Sequence, residues 1–308
     1  MGQTRVATGH PVLNVGFRVK RLLSRFGLEL RRIPTAGAQR PDWLTHPVTA
    51  DYLPGYRGTF VTEITIRDAR GLHVRGLPFD MRHPFVAAAT AGLTAPNEAA
   101  VDDRVRASLA RDYDTFQPAS ALEVVGLSPD MAPGLADRPA QACLLPWSER
   151  TVDETLRGRA VAMREAGLQY GVTLSMEDGL TAFGPATPAK LDLETRRLVK
   201  LIRSVRADGF APFDPAAPMK ASALRAGNVL RWQIEEGHHR IPVAVAFGLQ
   251  TVPVMVTQII RREDAEFWPR VADGTFTPDG ATQVFDRLFA GGDTDLDLAP
   301  DDPTAPTG

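Results

Sequence analysis

The stretch that decides the fold is residues 228–256, which reads NVLRWQIEEGHHRIPVAVAFGLQTVPVMV. Apolar and polar residues alternate over 230–235, which is the pattern of a strand with one buried face. The apolar run 241–247 then contains Pro242 at a position that a first helical turn tolerates. A second apolar run, 251–256, predicts another strand. The predicted order is therefore strand, tight turn, helix, strand.

The turn itself, residues 236–240, carries side chains suited to an anion. A turn that opens a helix presents unpaired backbone N–H groups, and Gly237 lacks the Cβ that would keep a phosphate away. Arg240 lies in the first predicted helical turn, where its guanidinium could fork onto phosphate oxygens. The pattern predicts phosphate or nucleotide binding by Gly237, His238 and Arg240.

Proton chemistry at this turn is assigned to His239 and Glu236, the two predicted catalytic residues. An imidazole titrates near neutral pH, and a neighbouring carboxylate can orient it or hold a metal that accompanies a nucleotide. Glu235 is an equal candidate for that carboxylate. No histidine metal site is predicted, because adjacent side chains of a strand point to opposite faces. A second interpretation stays open, in which these residues form a solvated hairpin end without function.

A wider pattern over residues 198–256 resembles the N-terminal domain of the ParB family. The pattern consists of an apolar helix that ends at Gly209, a hairpin at 223–228, a Gly-x-x-Arg turn formed by Gly237 and Arg240, and a Val-Pro-Val strand at 252–254. The turn is also similar to the Gly-x-His-Arg turn of sulfiredoxins and of ParB-like free serine kinases. The match covers about a fifth of the chain.

The resemblance implies an α/β protein with a small mixed-sheet ParB/sulfiredoxin-like domain at 183–262, preceded by an α+β region of unknown fold and role at 41–182. It also implies that Gly237 and Arg240 contact the phosphates of ATP or another nucleotide, with Mg²⁺ as a candidate companion. The favoured function is nucleotide-dependent phosphotransfer to a small metabolite by an ATP- or ADP-dependent kinase. The rival is a non-catalytic nucleotide- or nucleic-acid-binding module.

The sequence departs from these families at two points, and each departure excludes one of the activities found in them. Sulfiredoxin activity is not expected, because His238 stands where sulfiredoxins carry their catalytic cysteine. A DNA-segregating clamp is not expected either, because the chain ends too soon after Val256 for the domains that partition proteins add there. The expected partners are therefore a nucleotide and a small-molecule substrate rather than DNA.

The two ends of the chain differ in charge. Residues 1–40 hold eight Lys and Arg against Glu29 alone, and apolar residues at three-to-four spacing predict a basic amphipathic helix there. That helix either docks on its own domain or contacts a membrane or partner. Residues 263–290 are predicted as a helical extension. Residues 291–308, with five aspartates and no basic residue, are predicted as a disordered acidic tail.

Composition limits the broad class. The chain has 35 Lys and Arg against 37 Asp and Glu, so no overall field attracts nucleic acid. The single cysteine, Cys143, excludes a disulfide framework and CxxC metal spacing. No apolar run reaches the roughly 18 residues that span a bilayer. We expect a cytoplasmic protein, peripheral to the inner membrane if the N-terminal helix binds lipid.

Further elements follow from local pattern. A strand is predicted at 59–66, and helices are predicted within 83–115, broken at 94–97. Another helix is predicted to end at Gly167. A third is predicted from Asp192, as its cap, to Gly209.

Overall fold

The computed structural model describes residue 52 and residues 60–210 and 217–292. The predicted basic helix at 1–40 lies outside the described residues, as does the acidic tail after residue 292. The strands are β1 (Phe60–Thr65), β2 (Ala69–Gly71), β3 (Leu77–Pro78), β4 (Lys220–Ala226), β5 (Val229–Glu236) and β6 (Thr251–Arg261). The helices are α1 (Pro84–Leu93), α2 (Val101–Thr115), α3 (Ala121–Val125), α4 (Val152–Leu168), α5 (Pro188–Asp208), α6 (Arg240–Ala246), α7 (Pro269–Ala272) and α8 (Pro278–Ala290).

The six strands form one mixed sheet in the order β1-β6-β4-β5-β2-β3. Strand β6 is antiparallel to β1 and parallel to β4, while β5 is antiparallel to β4 and parallel to β2. Three strands precede residue 183 and three follow it, so the region at 41–182 shares its sheet with residues 183–262. The α/β class is confirmed, whereas the narrower ParB-like assignment stays a prediction.

The deciding stretch forms the predicted strand, turn, helix and strand as β5, α6 and β6. Ile234 of β5 and Ala244 of α6 are completely buried in one apolar cluster, together with Val254 of β6 and Val86 of α1. Burying such side chains is the main favourable contribution to folding. The turn after β5 is thus anchored between a buried strand and a buried helix.

Helix α5, the longest of the described helices, packs against α1, α2 and α6. It begins at Pro188 with Thr187 as the capping side chain, so the prediction of Asp192 as its cap was wrong. Proline at the first position suits a helix start, because its missing N–H has no partner there. Asp192 is instead an exposed residue inside the helix, paired with Arg106. Gly209 follows the last residue of the helix, as predicted.

The strand and helices predicted before residue 183 agree with the structure, with one difference in helix α4. Strand β1 and the helices α1 and α2, separated at 94–97, lie where expected. Helix α4 passes through Gly167 and ends at Leu168, so this glycine is not a stop signal. A Cβ on Gly167 would lie 2.5 Å from the carbonyl oxygen of Val172, so the glycine permits a close backbone approach.

A second apolar region surrounds the C-terminal helices. Trp268 contacts the rings of Trp147 and Phe285, with centroid distances of 5.0 and 5.8 Å. Tyr52 donates a hydrogen bond from its hydroxyl to Asp264 at 2.6 Å and is buried. The predicted helical extension at 263–290 therefore belongs to the packed body of the protein. Across the described ranges, no helix combines the length and apolar character that spanning a membrane requires.

Candidate functional site

A cleft of about 380 Å³ opens between α5, the turn after β5 and the segment that follows α4. Its lining residues are Tyr170, Arg197, Lys200, Leu201, Ser204, Gly237, His238, His239 and Arg240. The structure therefore brings the predicted turn residues 237–240 together on one cavity. It adds a second wall, from α5, that sequence reasoning did not anticipate.

Helix α5 contributes a stripe of side chains to the cleft. Arg197, Leu201 and Ser204 are three or four residues apart, which aligns them along one side of a helix over about 10 Å. The Arg197 guanidinium lies over the Tyr170 ring, 5.4 Å from its centroid. Lys200 is exposed at the cleft surface. This wall combines positive charge with an apolar and aromatic surface.

The turn after β5 forms the opposite wall. Gly237 has a φ of 116°, a conformation that L residues rarely adopt, and a Cβ there would lie 3.0 Å from Met219 Cγ. Glycine is therefore required by the path of the backbone. The Arg240 guanidinium donates a hydrogen bond to the Ala217 carbonyl at 2.7 Å. This bond contributes to holding the arginine side chain at the cleft.

The cleft is electropositive. Arg197, Lys200 and Arg240 line it, and none of its lining residues in the described part of the chain is a carboxylate. Arginine and lysine side chains are cationic at neutral pH. Cations on the walls of a concave surface concentrate the field and attract anions.

A buried ionic group lies behind His239. Glu194 and Lys190 of α5 are both completely buried, and Lys190 Nζ lies 2.5 Å from Glu194 Oε1. The Thr181 hydroxyl donates to Glu194 Oε1 at 3.0 Å. The other carboxylate oxygen, Oε2, lies 2.6 Å from His239 Nε2. One wall residue of the cleft is thus tied directly to a carboxylate in the core.

The charge state of Glu194 follows from its neighbours. Burial by itself would raise the pKa of this carboxyl group. The charge that His239 carries when its ring is protonated, the charge of Lys190 and the hydrogen bond from His239 all oppose this effect. Arg197, 3.4 Å away, acts in the same direction. Together they hold the pKa of Glu194 well below its usual range, so Glu194 is ionised at neutral pH.

The carboxylates predicted to assist His239 lie elsewhere. Glu236 is exposed at the end of β5, where its carboxylate pairs with Lys220 Nζ at 2.8 Å. Glu235 points to the other face of the sheet and accepts hydrogen bonds from hydroxyls of neighbouring strands. The carboxylate that bonds His239 is Glu194. A catalytic role for Glu236 stays a prediction that the geometry of the cleft does not favour.

The other histidines near the turn are held neutral. Burial lowers the pKa of His238 well below its usual range, and neighbouring His73 acts in the same direction, with ring centroids 4.5 Å apart. His83 is completely buried and stacked on Phe79 at 4.6 Å, and burial lowers its pKa to about 3. Among these rings, His239 is the one bonded to a carboxylate.

The sequence of α5 contains a pattern that indicates the buried ionic group. Lys190 and Glu194 precede Leu198 in steps of four residues, so both fall on the stripe that the apolar residues of this helix predict as buried. Charged side chains rarely occupy such a stripe unless they are paired. Arg197 and Lys200 gave no comparable signal, because basic residues are common on helix surfaces.

The described residues of the cleft do not offer an evident set of ligands for Mg²⁺. Within the described residues, no group of three or more His, Cys, Asp or Glu side chains is arranged to hold a metal ion. Magnesium is usually bound through one or two carboxylates together with substrate phosphates. The cleft residues that the structure describes supply none of these carboxylates. The residues at the turn therefore do not fit the predicted Mg²⁺ site.

Comparison of the chain with family models, curated proteins and solved structures produced no match. The likeness of the turn to those of ParB and sulfiredoxin proteins consequently stays a prediction. The chemistry of the cleft is inferred from its own residues.

Proposed function

We propose that the cleft binds a nucleotide or another phosphorylated small molecule. The observation that carries this proposal is the set of three cations, Arg197, Lys200 and Arg240, in a cavity whose described lining residues include no carboxylate. Phosphate oxygens accept charge-assisted hydrogen bonds from such side chains, and arginine offers a planar fork that matches them. An anion with several oxygens suits the cleft better than a neutral ligand does.

The dimensions of the cleft favour a small ligand. Its volume of about 380 Å³ falls within the usual range for small-molecule sites, roughly 300 to 1,000 Å³. Tyr170 and Leu201 supply an apolar wall on which a base or sugar could pack. A mononucleotide fits these features better than a nucleic-acid strand, which needs an extended groove along its backbone.

The hydrogen bond between Glu194 and His239 favours a catalytic version of this function. In the proposed reaction, the hydroxyl oxygen of a small-molecule acceptor attacks the terminal phosphorus of the nucleotide. The hydroxyl proton passes to His239, and the phosphorus–oxygen bond to the nucleotide breaks with its electron pair moving to the nucleotide oxygen. The cations of the cleft would stabilise the charge on the transferred group. No step is assigned to Mg²⁺.

A thermal-shift panel of ATP, ADP, CTP, GTP and inorganic phosphate, each with and without Mg²⁺, tests the binding proposal. A ligand present at 100 times its Kd stabilises a protein by about 2.7 kcal/mol, which is readily measured. We expect at least one phosphorylated compound to raise Tm. Absence of any shift across the panel at millimolar concentration would contradict the proposal.

Matched lysine variants test whether the cleft is the binding site. Lys200→Gln removes a cation that lines the cleft, whereas Lys220→Gln removes one that pairs with Glu236 outside it. We expect Lys200→Gln to weaken binding of the best compound several-fold and Lys220→Gln to leave it unchanged. Equal effects of the two variants would place the binding site elsewhere.

A further inference from the structure

We infer that Glu194 and Lys190 are positioning residues that fix His239 as a proton acceptor directed at the cleft. This inference deepens the proposed function and rests on it for the reaction that His239 serves. The protonation pattern of the ring, by contrast, follows from the structure of the empty protein and can be measured without a ligand.

The hydrogen bond between Glu194 and His239 fixes which ring nitrogen carries a hydrogen. An ionised carboxylate has lone pairs and no proton, so it can only accept a hydrogen bond. Since Glu194 Oε2 and His239 Nε2 lie 2.6 Å apart, Nε2 must carry the hydrogen. The neutral His239 ring is therefore the Nε2–H tautomer, and its basic lone pair lies on Nδ1.

The position of the His239 ring gives a ligand access to Nδ1. His239 lines the cleft with about 20% of its side chain exposed. Within the described residues, no side chain or carbonyl forms a hydrogen bond with its Nδ1. The Phe85 ring meets the imidazole edge-on, at 4.8 Å between centroids and 75° between planes. Glu194 and Phe85 together restrain the ring, leaving Nδ1 available for a proton from an acceptor hydroxyl.

The buried lysine, Lys190, helps to keep Glu194 ionised. A carboxyl group isolated in the core would take up a proton, because burial disfavours its charged form. Lys190 opposes this with a contact of 2.5 Å, and its Nζ also donates to the Thr181 hydroxyl at 3.1 Å. Lys190 therefore contributes, together with Arg197, to keeping Glu194 a hydrogen-bond acceptor. A protonated Glu194 would donate a hydrogen bond to Nε2, and the hydrogen of the neutral ring would then lie on Nδ1. The lone pair of Nδ1 would no longer be available to accept a proton from a ligand in the cleft.

The charges that face His239 come from three elements. Glu194, Lys190 and Arg197 belong to α5, His83 lies at the start of α1, and His238 precedes His239 in the turn. Burial keeps His83 and His238 neutral above pH 7. Glu194 is thus the anion that directs the tautomer of His239, in the way that a buried carboxylate orients an imidazole in hydrolytic triads.

The test is ¹⁵N NMR of the histidine rings in the full chain at pH 7.5 without ligand. We expect the neutral form of the wild-type His239 ring to be almost entirely the Nε2–H tautomer. Lys190→Gln should increase the share of Nδ1–H, because loss of the lysine charge raises the pKa of Glu194. Glu194→Gln should give a mixture, since an amide can donate or accept. Glu236→Gln, which alters the carboxylate adjacent in sequence, should leave the tautomer unchanged.

Three results would overturn the inference: an Nδ1–H tautomer in the wild-type protein, a wild-type tautomer in Lys190→Gln, or a change in Glu236→Gln alone. If Lys190→Gln or Glu194→Gln fails to fold, the tautomer observed in the wild-type spectrum still tests the inference. ATP titration separates this inference from the proposed function. Loss of turnover by about 100-fold in Glu194→Gln with ATP affinity retained supports both. A failed ligand panel with the expected tautomers removes the proposed function only.

Discussion

At the scale of single residues, Arg240 offers the sharpest test of the cleft. Its guanidinium lines the cavity, and we expect Arg240→Ala to lower the affinity for the best nucleotide by about ten-fold to more than a hundred-fold, which corresponds to roughly 1.5–3 kcal/mol. Arg240→Lys should restore part of this affinity, because an ammonium keeps the charge and loses the fork. Calorimetric titration of both variants measures the effect.

A melt of the same Arg240 variants is the control. Loss of the hydrogen bond to the Ala217 carbonyl should cost about 1 kcal/mol of stability. Unchanged affinity in Arg240→Ala would contradict phosphate binding at the turn. A fall in Tm of more than about 8 °C would identify the arginine as structural.

Single residues also show where reasoning from sequence stopped. The residues of the turn at 237–240 were found because a glycine, two histidines and an arginine stand next to one another. Glu236 was assigned to His239 for the same reason, yet it pairs with Lys220. Glu194 bonds His239 from 45 positions away. Such a contact depends on how α5 packs against the turn, and no local pattern contains that information.

At the scale of elements, helix α6 is expected to tolerate change at its cleft end and not at its core face. Ala244 is completely buried in the apolar cluster with Ile234 and Val254. Ala244→Arg would place a charge and a large side chain there, which should cost more than 4 kcal/mol or prevent folding. Ala162→Arg is the matched control, because Ala162 is exposed on α4.

Thermal denaturation followed by circular dichroism compares these two alanine variants. We expect Ala162→Arg to melt within about 2 °C of the wild-type protein and Ala244→Arg to be unfolded or strongly destabilised. Similar melting temperatures for the two would show that α6 is not packed against the sheet.

Elements were predictable to the extent that their signals are local. Alternation in β5 and the apolar run of α6 depend on residues close in sequence, and both elements formed as expected. The start of α5 was placed wrongly at Asp192 because the better capping residue, Thr187, lies before the apolar stripe begins. The order of strands in the sheet had no local signal, because β6 pairs with β1 from the far end of the described chain.

At the scale of the whole molecule, buried histidines should make the protein sensitive to mild acid. His83 has a pKa of about 3 in the folded protein and an ordinary value near 6.5 when unfolded. Its neutral form therefore favours the folded state fully above pH 6.5, and this contribution is lost as pH falls from 6.5 towards 3. His238 acts in the same direction, and Glu194 adds its own loss below about pH 4.5.

Urea denaturation between pH 7.5 and 4.5 measures this dependence. As pH decreases, we expect the free energy of unfolding to decrease by up to about 1.4 kcal/mol per pH unit for each such histidine. His83→Gln should show a smaller slope, whatever its stability at pH 7.5, because glutamine does not titrate. An equal slope in the two proteins would exclude His83 as a contributor.

The N-terminal 40 residues are expected to be separable from the folded body. Their amphipathic pattern is self-contained, and prolines at 34 and 41 interrupt the chain behind it. A chain lacking residues 1–40 keeps Tyr52, whose buried hydroxyl bonds Asp264. We expect it to remain soluble and to melt cooperatively. Failure to fold would show that the N-terminal helix docks on its own domain.

The position of β6 in the sheet has a consequence for synthesis of the protein. This strand lies between β1 and β4, yet of the described strands it is the last to leave the ribosome. Until then, the nascent chain exposes the edges of β1 and β4 that β6 later pairs with, and unpaired strand edges promote aggregation and chaperone binding. Tyr52 likewise cannot form its hydrogen bond until Asp264, 212 positions downstream, has been synthesised. The cleft, built on the turn just before β6, can therefore form only after β6 has been synthesised.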